Sequence, residues 1–134
     1  MTDGAKILIV EDQMLIAMDL QRLIENMGYE VCGLARTRTE ALRLADEHRP
    51  NLAVMDVRLA DGSDGIAAAR EMRQRFGIGA LLISGQIDAA QAEEAEAPIF
   101  LRKPFEPRQL RRAIADALRM HQGDFVPSPP EKEG

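Results

Sequence analysis

Five residues in this chain have the types and positions to do chemistry together. Glu11 and Asp12 close the apolar run Ile7-Leu8-Ile9-Val10, Asp56 lies inside "AVMDVRL", Ser84 ends "ALLIS", and Lys103 follows "IFLR". An unpaired carboxylate in an apolar strand is expensive, and a lysine is almost never buried without a partner. If the three acids converge, each like-charged pair costs about 1 kcal/mol at ~4 Å in water and about 4 kcal/mol at an effective dielectric constant of ~20. A hard divalent cation relieves that repulsion, and one or two carboxylates plus waters is the usual protein share of a Mg²⁺ site. Mg²⁺, a lysine and a hydroxyl around one carboxylate make a setting for phosphoryl transfer. Asp56 would attack phosphorus in line while metal and lysine stabilise the equatorial oxygens, leaving an aspartyl phosphate. Each residue also has a plainer reading: acidic pairs cap helices, a strand-end serine caps a turn, and a strand runs out into solvent. Pro104 restricts Lys103 to extended geometry and admits a cis peptide bond.

The elements that must position these residues can be read from apolar spacing. Ile7 to Val10 is continuous, as in strands covered on both faces. Leu15, Ile16, Leu20, Leu23, Ile24 and Met27 then recur at helical spacing, and Gly28 stops them. "YEVCGLAR" reads as a second strand weakened by Gly33, and "TRTE" as a capping box before a helix closed by His48-Arg49-Pro50. "LAVMDV" is a third strand, "ADGSDG" a turn-rich loop, and Ile66 to Phe76 a helix ending at Gly77. "ALLIS", the acidic helix "DAAQAEEAEA", "IFL" and a helix from about Pro107 to Met120 complete the order. Five strands alternating with five helices predict a doubly wound α/β domain with a five-stranded parallel sheet, flavodoxin-like order 2-1-3-4-5. Ligands in such sheets bind beyond the carboxyl ends of the strands where the order reverses, between strands one and three. All five residues fall on that rim.

Composition bounds the rest. At 134 residues, one domain is the default, and 46% hydrophobic content supports a core. A net charge of −5 argues against general affinity for nucleic acid or anionic lipid. Cys32 is the only cysteine, which excludes an intramolecular disulfide and a thiolate metal site. No apolar run is long enough for a signal peptide or a membrane span, so a cytoplasmic protein is expected. Cys32 and most of the methionines read as core filler, and His48 and His121 as residues at helix ends. The domain is expected over residues 1–120, and the Pro-rich tail 121–134 is expected to be disordered.

The motifs "LIVEDQ", "AVMDVRLADGSDG", "LLIS" and "FLRKPF", in this order, resemble the response-regulator receiver domain of two-component signalling, over roughly Ala5 to Met120. By that resemblance Asp56 is the phosphoacceptor, and Glu11, Asp12, Asp56 and the carbonyl of Arg58 hold Mg²⁺. Ser84 bonds a phosphoryl oxygen, Lys103 pairs with the phosphoryl group through a cis Lys103-Pro104 bond, and Phe100 is the switch aromatic. The stretch from Ser84 to Lys103 is about a helical turn shorter than the family usually has, so a short or irregular fourth helix is expected.

The resemblance implies a sensor histidine kinase or histidine phosphotransfer protein as phosphodonor. Signalling would run through protein contacts of the helix 4–strand 5–helix 5 face. With no output domain after Met120, direct DNA binding is not expected. Acids Asp88, Glu93, Glu94 and Glu96 on one segment and Arg108, Arg111, Arg112 and Arg119 on another fit a two-fold homodimer. Two other classes compete: a receiver-like module that binds partners without phosphorylation, and an aspartate-nucleophile phosphatase. The latter needs a second acid where Arg58 stands.

Overall fold

The computed structural model describes residues 4–59, 64–85, 89–97 and 99–125, with the backbone alone for 89 and 121–125. Its strands are β1 (Lys6–Val10), β2 (Glu30–Ala35), β3 (Leu52–Asp56), β4 (Gly79–Ser84) and β5 (Phe100–Arg102). The helices are α1 (Met14–Asn26), α2 (Arg38–His48), α3 (Gly65–Phe76), α4 (Ala89–Glu94) and α5 (Pro107–Phe125). All strand pairs are parallel and the sheet order is β2-β1-β3-β4-β5, the expected flavodoxin-like arrangement.

Side-chain alternation along the strands builds two cores. Leu8, Val10, Ala53, Met55, Ala80 and Leu82 face α2, α3 and the end of α4. Ile7, Ile9, Leu52, Val54, Leu81 and Ile83 face α1 and α5. Every residue of β3 and β4 is buried, which is why these runs carry almost no polar residue until their last position. Asp56 and Ser84 are those last positions.

Local chemistry sets the boundaries. Gly28 takes φ +98 at the end of α1, a left-handed conformation that suits glycine. The Thr37 hydroxyl accepts from the Glu40 amide at 3.1 Å, while the Glu40 carboxylate accepts from the Arg36 amide at 2.8 Å instead of closing back on Thr37. The box is therefore shifted by one residue. In β2 the register slips so that Leu8 faces Gly33 after Ile7 faces Val31, leaving Cys32 as the extra residue of a bulge. Cys32 is half-buried against the α2–α3 core, and burial pushes its thiol up.

Several expectations are corrected. Leu15 lies outside the core stripe of α1 and is 79% exposed, and Met14, Met18 and Met120 are exposed as well. Among the described methionines, Met55 and Met72 are buried core residues. α5 runs past Met120 to Phe125, so His121 lies within a helix and the helical boundary moves into what read as tail. Nothing between 120 and 125 breaks an α-helix except Gly123, which only weakens it. The remaining tail, Asp88 and the 60–63 loop lie outside the described residues. α4 is short, six residues, as the reduced spacing implied.

Candidate functional site

The point where strand order reverses lies between β1 and β3, and the acids sit at its carboxyl edge. Glu11 and Asp12 leave β1 directly, with the Glu11 amide donating to the Ala35 carbonyl of β2 at 2.8 Å. Neither acid caps α1. The N-cap is Gln13, which makes no side-chain cap, and its amide donates to Glu11 Oε2 at 3.1 Å. Asp56 ends β3. Carboxylate oxygens of Glu11, Asp12 and Asp56 lie within 4.8 Å of one another.

Lys103 reaches these acids from the far side of the sheet. Its amide donates to the Ser84 carbonyl at 2.9 Å, extending the β4–β5 pairing by one bond, and the Lys103-Pro104 peptide is cis. The ammonium Nζ lies 3.0 Å from Asp56 Oδ2 and 3.8 Å from Glu11 Oε1. The other Asp56 oxygen, Oδ1, accepts from the Arg58 amide at 3.0 Å. Asp56 is thus held at both oxygens, and it is 9% exposed, as is Ser84.

Glu11 is more deeply enclosed, at 2% exposure. Burial pushes its carboxyl up to about 7, aided by the bond to the Asp12 side chain and the charge of Asp56, against the Gln13 amide and Lys103. The donor set is all oxygen, three carboxylates with the Arg58 backbone alongside, and its chemistry fits a hard divalent cation such as Mg²⁺.

Phe100 is half-buried and packs on the α2–α3 side of the sheet. It stands opposite Leu82, and Ser84, whose own partner is Arg102, lies two positions further along β4 on the same face. Sequence reasoning brought Glu11, Asp12, Asp56, Ser84 and Lys103 to one rim, and the structure places these five at the carboxyl edge of the sheet; of the two residues that only the resemblance pointed to, Arg58 bonds Asp56 through its amide and Phe100 stands at the start of β5. It missed Gly65. A Cβ on Gly65 would stand 2.2 Å from the Asp56 carbonyl oxygen and 2.9 Å from Val57 Cα. The chain after β3 turns back so tightly that the Gly65 amide donates to the Val57 carbonyl at 2.7 Å, with Asp64 capping α3 through the Ile66 amide. The sequence offers a "DG" pair at 64–65 but an identical one at 61–62, so it marks a turn without singling out Gly65. Arg36 was missed too, and its Nε donates to the Asp12 carbonyl at 3.3 Å.

Residues 7–115 match the response regulator receiver domain family. The chain belongs to the response-regulator receiver family. It is 42% identical over 121 residues to the phyllosphere-induced regulator PhyR of Methylorubrum extorquens, covering 89% of this chain and 45% of that protein. It is 39% identical over 116 residues to the transcriptional regulatory protein PdtaR of Mycobacterium tuberculosis, covering 84% of this chain and 56% of that one. The chain thus spans about half the length of these curated relatives. Among solved structures, the receiver domain of Erythrobacter litoralis PhyR superposes with TM-score 0.79 at 30% identity over 98% of each chain. PhyR of Brucella abortus superposes with TM-score 0.77 at 32% identity, covering 92% of this chain and 51% of that one. Receiver domains take phosphoryl groups and bind Mg²⁺ at an acidic pocket, and they are signalling modules, not turnover enzymes. The phosphatase reading therefore falls away.

The raised Glu11 value has a consequence for stability. An unfolded carboxyl ionises near 4.5, whereas Glu11 in the fold ionises at about 7. Between those values the folded chain keeps a proton that the unfolded chain releases, so metal-free stability is expected to fall as pH rises across that window. Urea unfolding in a chelator at several pH values checks this: Glu11→Gln should flatten the slope, and an unchanged slope in that variant would contradict the assignment.

Proposed function

We propose that this receiver domain accepts a phosphoryl group on Asp56 from a sensor histidine kinase or a histidine phosphotransfer protein. Mg²⁺ would be held by Glu11, Asp12, Asp56 and the Arg58 carbonyl, and the signal would leave through the α4–β5–α5 face. The observation that carries this reading is the Lys103 ammonium 3.0 Å from Asp56 inside the acid cluster. When bound, Mg²⁺ supplies positive charge against the carboxylates and the transferring group.

The chain's own residues account for the rest. An Asp56 carboxylate oxygen forms the new P–O bond as the P–N bond of a phosphohistidine breaks and the imidazole leaves. Lys103, already on Asp56, moves its charge to the phosphoryl oxygens, and Ser84 offers them a hydroxyl from the end of β4. A switch from 1:99 to 99:1 needs about 5.5 kcal/mol of differential stabilisation, while one charge-assisted bond gives about 1.5–3 kcal/mol. Ser84 and Lys103 together reach that figure and neither does alone. Ser84 drawn toward the phosphoryl group would open space beside Phe100, and that ring would turn into it.

A donor protein has a surface to meet beside the site. Met14, Leu15 and Met18 are exposed on α1 immediately after the acid pair, at 46%, 79% and 54%. Exposed apolar groups clustered next to a reactive rim suit a protein partner better than a small molecule. The setting we propose is the cytoplasm. Among the described residues no helix is long and apolar enough to cross a membrane.

Incubation with acetyl phosphate and Mg²⁺ followed by intact-mass measurement tests the proposal. The wild type should gain about 80 Da with metal only, and Asp56→Asn should gain nothing. No gain in the wild type, with partner binding unaffected by Asp56→Ala, would favour the phosphorylation-independent module. The homodimer extends the same proposal: exposed Glu93 and Glu94 on α4 would face Arg108, Arg111 and Arg112 of a second copy's α5. Its dissociation constant should rise clearly between about 50 and 500 mM salt in sedimentation runs, and a salt-independent monomer would sink it.

A further inference from the structure

Two helices here end with the same hydrogen-bond pattern and different residues. After α1, the amides of Gly28 and Tyr29 return to the carbonyls of Glu25 and Ile24 at 3.0 and 3.4 Å, with Gly28 left-handed. After α4, the amides of Glu96 and Ala97 return to Glu93 and Ala92 at 3.0 and 2.9 Å, and the left-handed residue, at φ 57, is Glu96. Glycine is usual in this position because a side chain there crowds the neighbouring carbonyl. Glutamate needs a compensating contact, and it has one: Gln74 Nε2 of α3 donates to Glu96 Oε2 at 2.8 Å.

Among the described residues, the apolar grip of α4 is slight. Its sequence is AAQAEE, and the apolar contacts at this end are the buried alanines Ala92, Ala95 and Ala97. An alanine methyl buries far less area than a leucine or isoleucine side chain. α2, on the other flank of α3, is tied differently. Its left-handed residue Arg49, φ 49, lies 4.9 Å from the Phe76 ring centroid, but α2 is also held by the Arg38–Glu71 ion pair and by Leu42 and Leu44 against the core. Both flanking helices end on the last turn of α3, and among the described residues α2 has the larger apolar grip beneath.

We infer that the Gln74–Glu96 hydrogen bond is a latch that fixes the short fourth helix to α3 and sets how often it lifts away. The consequence for signalling rests on the proposed output face, whereas the latch itself does not. Amide hydrogen exchange by NMR on the full chain tests it. Gln74 is exposed, so Gln74→Ala should leave the core intact. Exchange at Ala95 and Ala97 should become roughly three- to tenfold faster in that variant, the equivalent of one lost hydrogen bond, with Leu82 and Ile83 unchanged. Glu96→Gln, which still presents a carbonyl acceptor, should stay near wild type. Unchanged exchange at Ala95 and Ala97 in Gln74→Ala would overturn the latch, as would equal acceleration at Leu82. A second arm adds beryllofluoride and Mg²⁺. If the mimic binds and leaves α4 exchange untouched while the Gln74→Ala difference persists, the latch stands and the output-face reading fails.

Discussion

Three carboxylates held within 4.8 Å of one another repel, and the fold keeps them together at the carboxyl edge of the sheet. At that separation and an effective dielectric constant of ~20, each ionised pair costs about 3–4 kcal/mol. The chain offsets part of this with Lys103 on Asp56 and Glu11, with amides of Gln13 and Arg58 aimed at carboxylate oxygens, and with a proton retained by Glu11. What remains is a standing deficit of positive charge. That deficit fits a cation, and in the function we propose Lys103 on Asp56 would give an incoming phosphoryl group a counter-charge already in place.

The rigidity to hold such a cluster comes from the sheet. β3 and β4 are buried along their whole length between two apolar layers, so Asp56 and Ser84 sit on rods that cannot tilt without opening both cores. Behind Asp56 the chain turns back against the strand end, and only a glycine at 65 clears the Asp56 carbonyl. Rigidity fades toward the β5 edge, where the strand has three residues and α4 has six. The strands that carry the charged centre are buried throughout, whereas the neighbouring edge is built from short elements, a distribution that suits the switching face we propose.

Much of this was legible in the sequence because the strands here are buried on both faces. Continuous apolar runs ending in a charged or hydroxyl residue marked the strand ends, and the alternation with helical patterns fixed the sheet type. With order 2-1-3-4-5 assumed, Glu11, Asp12, Asp56, Ser84 and Lys103 had to share a rim. Residues whose roles depend on backbone approach were harder to see. Nothing in "ADGSDG" distinguishes Gly65 from Gly62 before the turn is built, and Arg49 and Glu96 give no hint in sequence that they adopt positive φ. Leu15 fitted the helical spacing of α1 and proved exposed, because periodicity defines a stripe and cannot say where its margin meets solvent. α5 runs beyond its expected end because the onset of polar composition after Met120 does not stop a helix, whose last turn needs no apolar partner.

If the cluster is a site kept at the expense of stability, the acid at its centre should be a liability until it is given a cation. Thermal unfolding of the wild type and Asp56→Asn, each in chelator and in Mg²⁺, tests this most directly. The account predicts that Asp56→Asn melts higher than the wild type in chelator, and that Mg²⁺ raises the melting temperature of the wild type far more than that of the variant. A variant that melts lower in chelator, or that gains as much from Mg²⁺ as the wild type does, would contradict it.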